Sequence, residues 1–201
     1  MLFRSKKYIT DFYKKLFGRS EHCQIHLETE GVAKINLEEA ESLLGRFNLE
    51  ELKNVVFGME KNKAAGPDGF NADFYQYVWP IVHQDLLRLV NDFVDQKINI
   101  DRLNYGVVTL VPKGAESDRI QKYIPICLLN VVFKIITQML VNRLTPVISK
   151  VVKNTQTAFI NNRFIMDGVV VLHEVLNDLQ TKKNAGILFK INFEKAFDKI
   201  K

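Results

Sequence analysis

Cysteine is scarce: two occur in 201 residues, Cys23 and Cys127, far apart and in unlike surroundings. That excludes a disulfide framework, and no spaced set of zinc ligands exists either. The run His22-Cys-Gln-Ile-His26 has too few ligands for a structural zinc site. Two thiols without partners suit a reducing intracellular compartment, cytoplasmic or nuclear. No run of 18 apolar residues occurs, so no membrane span is expected. The phosphate-cradling pattern Gly-x-x-x-x-Gly-Lys-Ser/Thr is missing. Also missing is the regular strand–helix alternation of a doubly wound parallel sheet, which leaves an α+β fold as the better reading.

What is present is enough apolar material, 47%, to build the core of one domain. The net charge of +5 favours a polyanionic partner only mildly. Its distribution says more: residues 1–20 carry +5, 21–60 carry −6, 61–100 carry −1 and 101–201 carry +7. A nucleic-acid surface is therefore expected mainly in the second half. The basic start, Met1 to Lys7, has the charge of a transit peptide. The better reading is an amphipathic helix over 5–17 carrying Ile9, Phe12, Tyr13 and Phe17 and stopped by Gly18.

Two capping boxes open the next helices: Asn36 with Glu39, then Asn48 with Glu51. Leu37, Ala40, Leu43 and Leu44 mark the apolar face of the first. Leu52, Val55, Val56 and Met59 mark that of the second. The stretch from Lys61 to Gly69 is polar and rich in turn formers, and is predicted to be a loop. Asn71 caps a short helix through Val78, and Pro80 begins another carrying Leu86, Leu89, Val90 and Phe93. Residues 105–111 are predicted to form a strand. A loop runs to Tyr123. A long helix spans about 129–145, with Val132, Ile135, Ile136, Met139 and Leu140 on one side and a break or kink at Pro146. A helix over about 165–180 and a strand over 187–193 complete the pattern.

Four segments are candidates for function, and each has a structural alternative. In Ala65-Gly-Pro-Asp-Gly-Phe70 the glycines permit tight geometry and Pro67 stiffens the turn; Asp68 can bind neighbouring amides or a base. Such a segment is either a plain turn or a binding loop. Lys113, at a strand end, is a phosphate contact or a solvated lysine. Arg163, after Phe159-Ile-Asn-Asn162, contacts a template or anchors its own loop. Glu194 and Asp198 lie just past a strand, where carboxylates can hold Mg²⁺, but such acids are more often helix-start or surface residues.

Taken together, these segments resemble the reverse transcriptases of non-LTR retroelements, especially the LINE-type elements of plants. The likeness runs through nearly the whole chain. Residues 8–18 resemble the stretch between endonuclease and polymerase regions, and residues 47–59 the helix before the fingers. Five blocks then follow, making six in family order with the helix of 47–59: Lys63-Ala-Ala-Gly-Pro-Asp-Gly-Phe70, Val108-Thr-Leu-Val-Pro-Lys113, Tyr123-Ile-Pro-Ile-Cys-Leu-Leu-Asn130 running on to Ile135, Gln156-Thr-Ala-Phe-Ile-Asn-Asn-Arg163 and Ile191-Asn-Phe-Glu-Lys-Ala-Phe-Asp198.

The resemblance implies a partial right-hand polymerase. A helical linker or extension would occupy 1–60. Fingers and the first palm strand would occupy 61–201, with the palm incomplete and no thumb. Lys113 would face the incoming nucleotide's phosphates, and Phe197 would lie under its sugar. Gly66 and Asp68, with Gln156 and Arg163, would support or line the template side. Position 192 would be the first metal-binding aspartate. Three departures bear on activity. Asn192 replaces that aspartate, so no catalytic or metal residue is intact there. Ile124 stands where the family has an arginine that grips triphosphate. The chain ends at Lys201, before the motif that would supply the remaining metal carboxylates. The expectation is a truncated RNA-directed DNA polymerase fragment, inactive alone. Mg²⁺ serves the intact family, and no cofactor is expected for this chain. Partners would be an RNA template and DNA primer held by the basic second half, with no membrane involved. The alternatives are a nucleic-acid-binding module kept from the fingers, or a helical partner complemented by a separate palm–thumb chain.

Overall fold

The computed structural model describes residues 2–18, 33–115, 118–183, 185–189 and 191, with the backbone alone at 2–4 and 102. The chain divides into two units. One is Ala33–Ile165; the other combines residues up to Val32 with those from Met166 onward.

Both expected capping boxes are made. The Asn36 side chain accepts from the Glu39 amide at 2.8 Å while Glu39 accepts from the Asn36 amide at 3.0 Å, which starts α2, Leu37–Leu44. Asn48 and Glu51 repeat the exchange at 2.9 and 3.0 Å and start α3, Leu49–Gly58. Each exchange satisfies two amides that a helix start leaves without partners. Asn71 caps α4, Ala72–Tyr77, through the Phe74 amide at 3.0 Å. Pro80 lies in the first turn of α5, Trp79–Val94, where its missing N–H has no cost. The Gln76 carboxamide donates to the carbonyls of Val56 and Met59 at 3.0 and 3.1 Å, closing the end of α3.

The core lies between α3, α5 and α6, Val131–Val151. Leu52, Val56, Val90, Ile135, Ile136 and Met139 are fully enclosed, joined by Phe47 and Tyr75. Burial of each such side chain contributes about 1.5–3 kcal/mol. By length and composition α6 is apolar enough to cross a membrane. Its buried stripe, however, is the centre of this core.

The strand expected over 105–111 is β1, Gly106–Pro112. It pairs antiparallel with β2, Tyr123–Leu129, in a register running from Gly106↔Leu129 to Pro112↔Tyr123. The second strand was not anticipated, because Pro125 inside it argues against a strand. In a two-stranded sheet both strands are edges, so the missing N–H of Pro125 is tolerated there.

Of the break or kink expected at Pro146, the break does not occur: α6 continues through it to Val151. Val147, next to it, is buried, and the Thr145 hydroxyl donates to the Val141 carbonyl at 2.7 Å. Packing thus offsets the local cost of proline.

In the other unit, α1 spans Leu2–Phe17, longer than expected at its start. Tyr13 meets Phe12 edge-to-face at 5.1 Å and stacks near Phe17 at 5.8 Å. The last helix, α7, is Ile165–Thr181, close to expectation. The strand expected over 187–193 is not formed at 187–189 or 191. A strand is a strand only by pairing, and no partner is offered among the described residues. The run from His22 to His26 lies outside the described residues, as do Asn192, Glu194, Phe197 and Asp198.

Candidate nucleic-acid interface

The turn Gly66-Pro-Asp-Gly69 closes by a bond from the Gly69 amide to the Gly66 carbonyl at 3.0 Å. Pro67 and Asp68 occupy its two central positions, and the Asp68 carboxylate accepts from the Phe70 amide at 3.0 Å. The turn sits on the start of α6. The Asp68 amide donates to the Asn130 side chain at 3.2 Å. A Cβ on Gly66 would lie 2.5 Å from Asn130 Oδ1 and 2.6 Å from its Cα and amide nitrogen, so only glycine fits this approach. Two blocks distant in sequence, 63–70 and 123–135, thus meet at one point. Tyr75 lies nearby. Burial, with the Asp68 charge adding, pushes its phenol above the ordinary tyrosine value.

Lys113 follows β1, and its amide donates to the Lys122 carbonyl at 2.8 Å, extending the hairpin one step. Its side chain is exposed. Val111 pairs with Ile124, so the two share one face of the hairpin, and Lys113 follows just past the end of β1.

Gln156 and Arg163 lie in the loop after α6. The Arg163 guanidinium donates to four carbonyls: Val152 and Lys153 at 2.7 Å, Gln156 at 2.8 Å and Ser149 at 3.1 Å. It thereby gathers carbonyls at and beyond the end of α6 and holds the loop shut. The Gln156 carboxamide bonds within the loop, donating to Ala158 at 3.0 Å.

Sequence reasoning missed Arg143. It makes a two-point bond to Glu51 at 2.8 and 2.9 Å and donates to the carbonyls of Arg46, at 2.8 Å, and Gly45. Its guanidinium lies 3.8 Å from the centre of the Phe47 ring. Hydrogen bonds from Arg143 hold the Glu51 carboxyl below its ordinary value, against the opposing effect of burial. Asn91 braces the same connection, accepting from the Phe47 amide at 3.0 Å and donating to its carbonyl at 3.1 Å. The available signal was a charge at the helical spacing Met139, Arg143, Val147 within an apolar stripe.

Among the described residues no group of three or more His, Cys, Asp or Glu is placed to hold a metal ion. Position 192 is a carboxamide, which lacks the negative charge needed to bridge two divalent cations. The donor set therefore does not fit a Mg²⁺ pair, and no chemical step follows from one.

Residues 111–201 match the family model for reverse transcriptase (RNA-dependent DNA polymerase). Over 191 residues the chain is 25% identical to the "Transposon TX1 uncharacterized 149 kDa protein" of Xenopus laevis, an alignment covering 94% of this chain. The chain spans about 15% of that relative's length. The hairpin's end, α6, the Arg163 loop and α7 all fall within the matched region, and the two likenesses together support a fragment of reverse-transcriptase-family kind.

Proposed function

We propose that this chain is the fingers and the start of the palm of a non-LTR retrotransposon reverse transcriptase, able to hold a template–primer duplex and unable to extend it alone. The observation that carries the reading is the family match over residues 111–201. The order of the motif blocks supports it, as does the meeting of the Gly66 turn with Asn130. The closer likeness to plant LINE elements rests on the motif blocks.

On this reading Lys113 faces phosphate as a point charge. Gly66 and Asp68 shape the turn against α6, Gln156 and Arg163 form the template-side loop, and Phe197 lies under a nucleotide sugar. Asn192 withholds the first metal-binding carboxylate. Loss of such a group removes transition-state charge stabilisation, at about tenfold in rate for each 1.36 kcal/mol. The partners are an RNA template and a DNA primer, in the cytoplasm or nucleus. The test is primer extension on an RNA template with Mg²⁺ and deoxynucleotides. No extension is expected from this chain by itself; metal-dependent extension contradicts the reading.

A further inference from the structure

Helix α6 has a second face, away from the core. Gln138, Val141, Asn142 and Thr145 recur there at the three- and four-residue spacing that aligns side chains along one side of a helix. Together with Pro146, Phe159 and Asn161 they line an open groove of about 410 Å³. That lies within the size range of small-ligand clefts, about 300–1,000 Å³.

The groove's chemistry is specific. The Gln138 carboxamide donates to the Asn142 side-chain oxygen at 2.8 Å. This bond orients both amides and leaves the Gln138 oxygen as an acceptor and the Asn142 nitrogen as a donor. A third carboxamide, Asn161, accepts from the Asn162 amide at 3.1 Å, and its nitrogen remains a donor. Pro146 has no N–H to give the Asn142 carbonyl, so a backbone acceptor on the same wall lacks its usual helical donor. Among the described residues, no charged side chain lines the groove.

Phe159 stands at the rim. Its ring is wholly exposed, and its φ is +63°. Left-handed backbone at a bulky residue costs about 1–2 kcal/mol. An exposed ring recovers none of that by burial. The Arg163 clamp on the preceding carbonyls holds the loop in this form.

We propose that this groove is a nucleobase site: Phe159 stacks on the ring, and the Gln138–Asn142 pair reads an amino group and the ring nitrogen N1 next to it, a donor–acceptor edge that adenine and 2-aminopurine both carry. Carboxamides match that edge with two bonds, and aromatic side chains stack on any base. The absence of cations in the groove means that it recognises the base and not the phosphate. The inference does not rest on the proposed polymerase origin. The base comes either from a free nucleoside or from a single strand.

The experiment titrates the whole chain into 2-aminopurine riboside and, separately, into a ten-nucleotide RNA single strand containing one 2-aminopurine, following fluorescence quenching. Phe159→Gly, which removes the ring and relieves the backbone, is expected to weaken binding about tenfold in whichever arm responds. Asn142→Leu is expected to do the same, with thermal unfolding of both variants monitored to establish that they fold. Quenching by the riboside at unchanged affinity in 50 and 200 mM salt supports a site for the free base and separates it from phosphate-driven duplex binding. Quenching by the strand alone, lost in both variants, supports a site for a base within a strand. No quenching in either arm, or quenching equal in wild type and both folded variants, overturns the proposal.

Discussion

Arg163 and Arg143 both direct a guanidinium at backbone carbonyls, and for each the planar fork matters more than the charge. Arg163 gathers four carbonyls around the end of α6. Arg163→Lys is expected to lose about 2 kcal/mol of stability, because one ammonium cannot reach four acceptors. The loss should appear as faster amide hydrogen exchange across 153–163. Arg143 gives a pH signature through Glu51, whose carboxyl sits below its ordinary 4.5. A group with a lowered folded value contributes its full stability above 4.5, and that contribution is lost as pH falls through the folded value. Glu51→Gln should therefore lower the unfolding temperature at neutral pH and flatten the acid limb of a stability–pH profile below 4.5. The sequence left Arg163 open between two roles and marked Arg143 only as a charge within an apolar stripe, because both depend on carbonyls that only the folded chain brings together.

Helix starts were legible because a capping box is local chemistry: Asn36, Asn48 and Asn71 each cap as read. Elements that depend on distant partners were not. Strand β2 exists through its register with β1, despite Pro125. The segment 187–193, read as a strand from its apolar run, is unpaired where described. Pro146 was read as a break or a kink, and α6 passes through it unbroken, with Met139 in the core before it and Val147 buried after it. Pro146→Ala restores an N–H to the Asn142 carbonyl without removing a buried side chain. It is expected to stabilise the protein by about 1–3 kcal/mol, measured by denaturant unfolding with an unchanged m-value. Little change or a loss would mean that proline's shape at the groove wall contributes more than the missing bond costs.

For the whole molecule, the blocks of residues 63–70 and 123–135 are joined through Gly66 and Asn130, a contact that their order alone did not specify. The charge asymmetry was readable directly, and it leads to the account's central claim: a body of reverse-transcriptase kind whose basic second half holds nucleic acid. The measurement that tests it most directly is fluorescence anisotropy of the folded protein with an RNA-template/DNA-primer duplex at about 50 and 200 mM salt. The account predicts binding at the lower salt that weakens at least about tenfold at the higher, as contacts to several phosphates require. Folded protein that does not bind the duplex at the lower salt, or binds it equally at both, would contradict it.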